Sequence, residues 1–161
     1  YFALELGRAL GWSQEELAIL EYGALLHDVG KIAVPEAILN KPSNLTPEEL
    51  TIMQQHTVIG AKIVAGISHL AAARYYILSH HERWDGTGYP EGLKGDQIPR
   101  EGRVLALADV YDALTSDRSY HKGMVFEKAL DFIRQRSGTH FDPKMVEVFI
   151  KLQEENLSKQ Q

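Results

Sequence analysis

The 161-residue sequence contains no cysteine, which excludes disulfide bonds, thiolate metal sites and a cysteine nucleophile. Positive charge is also scarce, because 17 lysines and arginines face 22 acidic residues and the formal net charge is −5. This sign argues against a domain that holds DNA or RNA by bulk charge. Any phosphate ligand must be met locally by a few cations or by metal ions, which only His, Asp and Glu would be left to bind.

Long hydrophobic runs are missing as well. No apolar run approaches the roughly 20 residues of a membrane span. The opening YFALELGRALG lacks the charge and cleavage pattern of a signal peptide. We therefore expect no direct membrane insertion and a cytoplasmic location. The length, with 44% hydrophobic and 24% charged residues, predicts one globular domain over residues 1–161.

Apolar residues recur at helical rather than strand spacing, which predicts an all-α fold. Ser13 with Glu16, and Thr46 with Glu49, have the spacing of capping boxes at the starts of two helices. The abrupt helical opening of the sequence suggests that a longer N-terminal helix has been cut. We expect the polar tail over 154–161 to be frayed.

One long connection interrupts the helices. A helix predicted from about Ser68 breaks at DGTGYP (85–90), where two glycines and a proline favour a structured turn. The connection runs from Glu82 to Gly102, and connections of this length within a compact domain are usually functional. Tyr89 in this segment either packs over the core or presents its ring and hydroxyl to a ligand, and its position alone leaves both options open.

The sequence contains seven histidines, of which His27, His56, His80 and His81 fall at predicted helix positions in polar contexts. A lone histidine on an apolar face is more often a satisfied core residue than a metal ligand. Several histidines together, with a carboxylate on an otherwise apolar helix face at Asp109, weaken that interpretation, because a buried carboxylate is costly without a cation or strong hydrogen bonds. Imidazoles and carboxylates that converge from different helices are typical of a carboxylate-bridged pair of divalent metals.

Six sequence features then resemble, in order, the motif series of the HD-GYP phosphodiesterases, a branch of the HD superfamily of metal-dependent phosphohydrolases. They are HDVGK (27–31), His56, HHERWDGTGYP (80–90), Ile98 with Pro99, ALADVYDALTSDRSY (106–120) and FDP (141–143). The resemblance extends from about residue 21 to residue 143. Its central string HHERWDGTGYP is highly specific, whereas a His-Asp dipeptide alone arises often by chance.

The resemblance implies a single helical HD-superfamily domain with a long ordered GYP loop and two or three divalent metal ions. It implies hydrolysis of cyclic di-GMP to the linear dinucleotide pGpG or to GMP in bacterial second-messenger signalling. The implied metal ligands are His27, Asp28, His56, His80, His81 and Asp109. The implied catalytic residues are Asp28 and Lys31, and the implied substrate contacts are Tyr89 and Arg118. Mixed His and carboxylate ligands favour iron or manganese over zinc.

The chemistry of these residues agrees with the implied roles. Phosphodiester hydrolysis needs a stronger nucleophile than water, and a hydroxide shared by two cations about 3.5–4 Å apart supplies one at neutral pH. Asp28 has two oxygens with which to bridge the cations. Lys31, one helical turn from His27, can reach the same pocket to stabilise the transition state or protonate the leaving oxygen. The alternatives are a solvated lysine at Lys31 and a surface ion pair with Asp117 for Arg118.

Departures from the family pattern raise an alternative function. The family has a further histidine, and in some members a glutamate, just upstream of the segment that matches YFALELGRALG. Neither is present here, and Glu5 falls where a surface residue is expected. Ser119 and His121 replace a usual proline and arginine. The alternative is a catalytically incomplete module that binds cyclic di-GMP or docks on a diguanylate cyclase (GGDEF) domain. Such a partner and a homodimer are further expectations that stay open.

Overall fold

The computed structural model describes residues 1–117 and 123–159, and these residues form helices and no strand. The α-helices are α1 (Phe2–Ala9), α2 (Gln14–Leu26), α3 (Glu36–Leu39), α4 (Pro47–Ala65), α5 (Arg74–Ser79), α6 (Arg100–Thr115), α7 (Phe126–Gln135) and α8 (Pro143–Ser158). Three 3-10 helices, Val29–Ala33, Ala71–Ala73 and Gly95–Gln97, lie in the connections. The all-α prediction is confirmed. Within the described ranges, no helix has both the length and the apolar character needed to cross a bilayer.

Both predicted capping boxes are formed. The Ser13 hydroxyl accepts a hydrogen bond from the Glu16 amide at 3.2 Å, and the Glu16 carboxylate accepts one from the Ser13 amide at 2.7 Å. Thr46 and Glu49 exchange the same pair of bonds at the start of α4. These bonds satisfy amides that have no partner inside the helix, and so they define where α2 and α4 begin.

Two hydrophobic clusters hold the helices together. The larger one joins helices α1, α2 and α5 to α6, α7 and α8, and its fully buried members include Leu6, Leu20, Leu107, Ile133 and Phe149. The smaller one consists of Ala61, Val64 and Ile77, which pack α4 against α5. Burial of a Leu, Ile or Phe side chain contributes about 1.5–3 kcal/mol. The two clusters therefore position the helices that carry the predicted ligands.

The glycine of the HDVGK string brings two elements into direct contact. A Cβ atom at Gly30 would overlap the carbonyl oxygen of His56 and lie 2.6 Å from the amide nitrogen of Gly60. Only a residue without a side chain allows the 3-10 helix Val29–Ala33 to lie this close to α4. This approach places Asp28, which immediately precedes the 3-10 helix, beside His56.

Several local predictions are corrected by the structure. The helix predicted from about Ser68 is shorter, because a 3-10 turn precedes α5, which starts at Arg74. The fraying predicted from residue 154 is wrong over 154–158, since α8 continues through Ser158. Glu5 is not a simple surface residue, because its carboxylate accepts hydrogen bonds from Gln153 at 3.4 Å and Asn156 at 3.2 Å. These bonds tie α8 to α1 and explain why the polar tail stays helical.

Candidate metal centre

The four predicted histidines come together from three helices. His27 is the C-terminal cap of α2, His56 lies within α4, His80 is the C-terminal cap of α5 and His81 follows it. Ligand atoms of His56, His80 and His81 all lie within 4.8 Å of one another, which is a spacing that could hold a metal ion. The ring centroids of His27 and His80 are 5.2 Å apart. With Asp28 and Asp109, these residues form what we call the His-Asp cluster.

Three of the histidines are oriented by their own helices. The Nδ1 atoms of His27, His56 and His80 lie 2.7, 2.8 and 2.8 Å from carbonyl oxygens three residues earlier in the chain. Because a carbonyl oxygen only accepts hydrogen bonds, Nδ1 is the protonated nitrogen and donates. Nε2 then carries the free lone pair, as in metal-binding histidines whose other nitrogen is held by a carbonyl group.

Two of these lone pairs are buried without a hydrogen-bond partner among the described residues. His56 and His80 are 1% and 2% exposed, and in the described part of the molecule their Nε2 atoms have no hydrogen-bond partner. A buried polar atom without a partner costs about 1–3 kcal/mol. A divalent ion bound by these nitrogens would remove this cost, so the residues present fit a metal ion.

Burial also keeps the imidazoles neutral. It lowers the pKa of His56, and together with the nearby His81 it lowers the pKa of His80 well below its usual range. Burial, with a further contribution from His56, lowers the pKa of His81 to about 4. Metal ions bind the neutral imidazole. At neutral pH these three histidines therefore have their ligand nitrogens available without loss of a proton.

The carboxylate of Asp28 lies near two imidazoles, those of His27 and His56. Its Oδ2 atom is 3.5 Å from Nε2 of His27, whereas its Oδ1 atom is 3.6 Å from Nε2 of His56. Oδ2 also accepts a hydrogen bond from Nζ of Lys31 at 2.6 Å. Oδ1 of Asp109 also lies 3.5 Å from Nε2 of His27. One carboxylate thus directs its two oxygens to two different histidines, as a bridging ligand must.

The two carboxylates differ in environment. Burial raises the pKa of Asp28, but the hydrogen bond from Lys31 and the nearby His27 and His56 outweigh burial and hold this pKa below its ordinary value. The Asp109 side chain is 32% exposed, so it is less buried than its apolar helix face suggested. It lies at a cavity of about 170 Å³ that His27 also lines. The Lys31 side chain is 38% exposed, yet its ammonium group is directed to the cluster by its bond to Asp28.

Tyr89 lies directly on the cluster. The connection between α5 and α6 spans residues 80–99, and we call its segment 82–99 the GYP loop. The Tyr89 ring stacks on His81, with centroids 4.8 Å apart and planes inclined by 24°, and meets His56 edge-on at 6.5 Å. Burial, with the charges of Asp28 and Asp109, raises the pKa of Tyr89, so its hydroxyl stays protonated. The loop is ordered, as predicted, although it ends before Arg100 rather than at Gly102.

Comparisons with known proteins place the chain in a family. A family model for the HD domain matches residues 1–145. The chain belongs to the HD-domain family. It is 48% identical over 145 residues to a cyclic di-GMP phosphodiesterase of Vibrio cholerae, a match that covers 86% of this chain and 30% of that protein. It is 43% identical over 152 residues to a cyclic di-GMP phosphodiesterase of Thermotoga maritima, covering 93% and 41%.

A solved structure supports the same assignment of the HD domain. The crystal structure of a cyclic GMP-AMP specific phosphodiesterase of V. cholerae matches with a TM-score of 0.72 and 28% sequence identity, covering 95% of this chain and 42% of that chain. The predicted resemblance to the HD-GYP phosphodiesterases is confirmed. The chain spans about a third of the length of the curated relatives it matches.

The HD domain contains one buried carboxylate with no predicted role. Glu82 is 2% exposed, and its two oxygens accept hydrogen bonds from the backbone amides of Glu91 and Leu93 at 2.8 and 3.0 Å. The available signal was its position directly after His81, because a charged residue so close to the His80–His81 pair needs partners of its own. Arg118, the other predicted substrate contact, lies outside the described residues, as do Ser119 and His121.

Proposed function

We propose that residues 1–161 form one HD domain that acts as a metal-dependent phosphodiesterase on a cyclic dinucleotide. The observation that carries the proposal is the pair of buried Nε2 atoms at His56 and His80, which have no hydrogen-bond partner among the described residues. The Nε2 atom of His56 also lies 3.6 Å from Oδ1 of the ionised Asp28. The names of the V. cholerae and T. maritima relatives support the same reaction class.

We assign the ligands of two divalent ions from the distances in the cluster. His56, His80 and His81, whose ligand atoms lie within 4.8 Å of one another, would hold one ion. His27 and Asp109, which are 3.5 Å apart, would hold the second. Asp28 would be shared, since its oxygens lie beside both sets. The proposed metals are iron or manganese, in two or three sites, because these ions accept mixed imidazole and carboxylate ligands.

The chain's own residues have distinct proposed tasks around these ions. Bound divalent cations supply Lewis acidity and lower the pKa of water. Lys31 places a positive charge beside Asp28, where it can neutralise charge on the phosphate or protonate the leaving oxygen. Tyr89, with its hydroxyl protonated and its ring on His81, is positioned to donate a hydrogen bond to a phosphate or to stack on a base. Arg118 remains the proposed second phosphate contact.

Cyclic di-GMP is the favoured substrate, and hydrolysis would yield pGpG or GMP. The relatives named for cyclic di-GMP are 48% and 43% identical, whereas a curated V. cholerae relative and a solved relative that are named for cyclic GMP-AMP are 39% and 28% identical. Cyclic GMP-AMP is therefore the second candidate. A diguanylate cyclase partner, a homodimer and a cytoplasmic location stay predictions.

The test combines metal content with turnover. The purified chain, loaded with manganese or ferrous iron, is incubated with cyclic di-GMP and in parallel with cyclic GMP-AMP, and linear products are separated by ion-exchange chromatography. We expect at least two ions per chain and a linear product. After treatment with a chelator, we expect neither bound ions nor a linear product. Binding of cyclic di-GMP with fewer than two ions and no linear product would instead favour the incomplete binding module.

A further inference from the structure

The Glu82 carboxylate binds backbone amides of the GYP loop. Its side chain is almost fully buried, and burial of a carboxylate is costly without strong hydrogen bonds. One oxygen accepts the Glu91 amide at 2.8 Å and the other accepts the Leu93 amide at 3.0 Å. Hydrogen bonds to an ionised acceptor are roughly twice as strong as neutral ones. Glu82 is therefore a clamp that joins the start of the GYP loop to the segment 91–93.

The clamp brackets Tyr89. Glu91 and Leu93 follow Tyr89 by two and four positions, so Glu82 fixes the chain just after the ring. Just before it, a Cβ atom at Gly88 would overlap the amide nitrogen of Arg83 and lie 2.5 Å from the carbonyl oxygen of His81. The Tyr89 amide itself donates to that carbonyl oxygen at 3.2 Å. Both sides of Tyr89 are thus attached to the short segment 81–83, which begins with a cluster histidine.

We propose that Glu82 is a positioning residue that holds the Tyr89 ring on His81 and thereby raises affinity for the cyclic dinucleotide. The effect on affinity rests on the proposed function, whereas the clamp itself does not. Because the Tyr89 ring also meets His56 edge-on, a shift of the loop would separate Tyr89 from both His81 and His56. Both Glu82 oxygens are engaged by amides, so its action passes through the loop and not through a metal ion.

The test uses a variant of nearly the same shape. Glu82→Gln puts an amide NH₂ group against one of the two backbone N–H groups and so removes one acceptor. We expect KM for cyclic di-GMP to rise about tenfold, with kcat within about twofold and metal content unchanged. Glu147→Gln makes the same chemical change on an exposed side chain of α8 and should leave both constants unchanged.

A double variant decides whether Glu82 acts through Tyr89. Tyr89→Ala should raise KM, and adding Glu82→Gln to Tyr89→Ala should raise it no further. Independent, multiplicative effects of the two substitutions would overturn the proposal, as would loss of metal in Glu82→Gln.

Two measurements on the metal-free chain need no substrate. In the unmodified chain, the Glu91 and Leu93 amides should exchange with solvent far more slowly than in an unfolded peptide, and NMR should show contacts between the Tyr89 and His81 rings. Exchange at unfolded rates would overturn the clamp even if Glu82→Gln fails to fold. Suppose that the amides are protected and the rings are in contact, but the chain loaded with manganese or ferrous iron shows no turnover. This result would support the clamp and contradict the proposed function.

Discussion

Two of the regions in which the described part of the molecule buries polar side chains differ in how those side chains are paired. In the His-Asp cluster, the buried Nε2 atoms of His56 and His80 lack hydrogen-bond partners within the described residues. Between α6 and the start of α8, Nη1 of Arg103 donates to Asp142 at 2.8 Å and to Asp96 at 3.1 Å. The Nε atom of Arg103 has no partner in the described ranges, but the charge as a whole is met by two carboxylates.

The contrast separates a scaffold from a binding centre. Asp142 caps α8 by accepting the Lys144 amide at 2.9 Å, and Arg103 also lies 5.7 Å from the centre of the Trp84 ring in the GYP loop. These contacts join α6, α8 and the GYP loop, so they stabilise the packing of these elements against one another. Buried groups that are paired with one another hold a fold together, whereas buried lone pairs that converge without partners call for a ligand.

The largest expected effect is on turnover at Asp28, the proposed bridging ligand. Asp28→Asn keeps the shape of the side chain but removes the charge that lies between His27 and His56. We expect kcat/KM for cyclic di-GMP to fall about a thousandfold or more, with reduced metal content. Steady-state kinetics and metal analysis measure both. Asp131→Asn, a change at an exposed residue paired with Arg134, is the matched control. Retention of both metals and full rate in Asp28→Asn would refute the bridging role.

The next effect is on stability in the scaffold. Asp142→Asn retains a good helix cap but leaves the Arg103 charge without its buried partner, so the free energy of unfolding should fall by about 2–3 kcal/mol. The side chain of Asp142 is 5% exposed, whereas that of Asp96, the second partner, is 90% exposed. Asp96→Asn should therefore cost less than about 1 kcal/mol. Urea unfolding of both variants provides the measurement, and equal losses would remove the distinction between the two partners.

A third substitution, His80→Leu, replaces one polar side chain of the cluster by an apolar one. His80→Leu replaces a buried imidazole whose Nε2 atom has no described partner, so unfolding of the chelator-treated protein should change by only about 1 kcal/mol. Metal affinity should fall at least about tenfold, because one ligand nitrogen is lost. Calorimetric titration with manganese and urea unfolding separate the two effects. Strong destabilisation with undiminished metal affinity would mean that His80 is a structural residue.

The sequence predicts the chemistry of the cluster better than its assembly. Short strings carry the residue types of the cluster and the helix caps, so the capping boxes were predictable and His27 and Asp28 could be named as candidates. The contact of Asp28 with His56 depends on the close approach of Gly30 to α4, which periodicity does not reveal. The start of α5 was misplaced because a 3-10 turn has nearly the same apolar spacing as an α-helix.

The role of Glu82 was unpredictable for a related reason. Its partners lie nine and eleven residues further along the chain, within a loop that has no periodic pattern to relate them. Hydrogen bonds between a side chain and distant backbone amides depend on the path of the loop. That path is determined by packing against the segment 81–83 and not by local propensity.

The last expected effect is a pH dependence of stability at His140, outside the His-Asp cluster. His140 stacks on Phe141, and burial, with the nearby Arg83 and Arg136, lowers the pKa of His140 to about 4. The unfolded chain, with a histidine pKa of about 6.5, then binds more protons between pH 6.5 and 4, so stability falls as pH decreases through this window. His140→Gln should weaken that fall by about 1–2 kcal/mol in chelator-treated protein. The difference between the two proteins isolates His140 from the cluster histidines, and identical pH slopes in urea unfolding would show that native His140 is protonated freely.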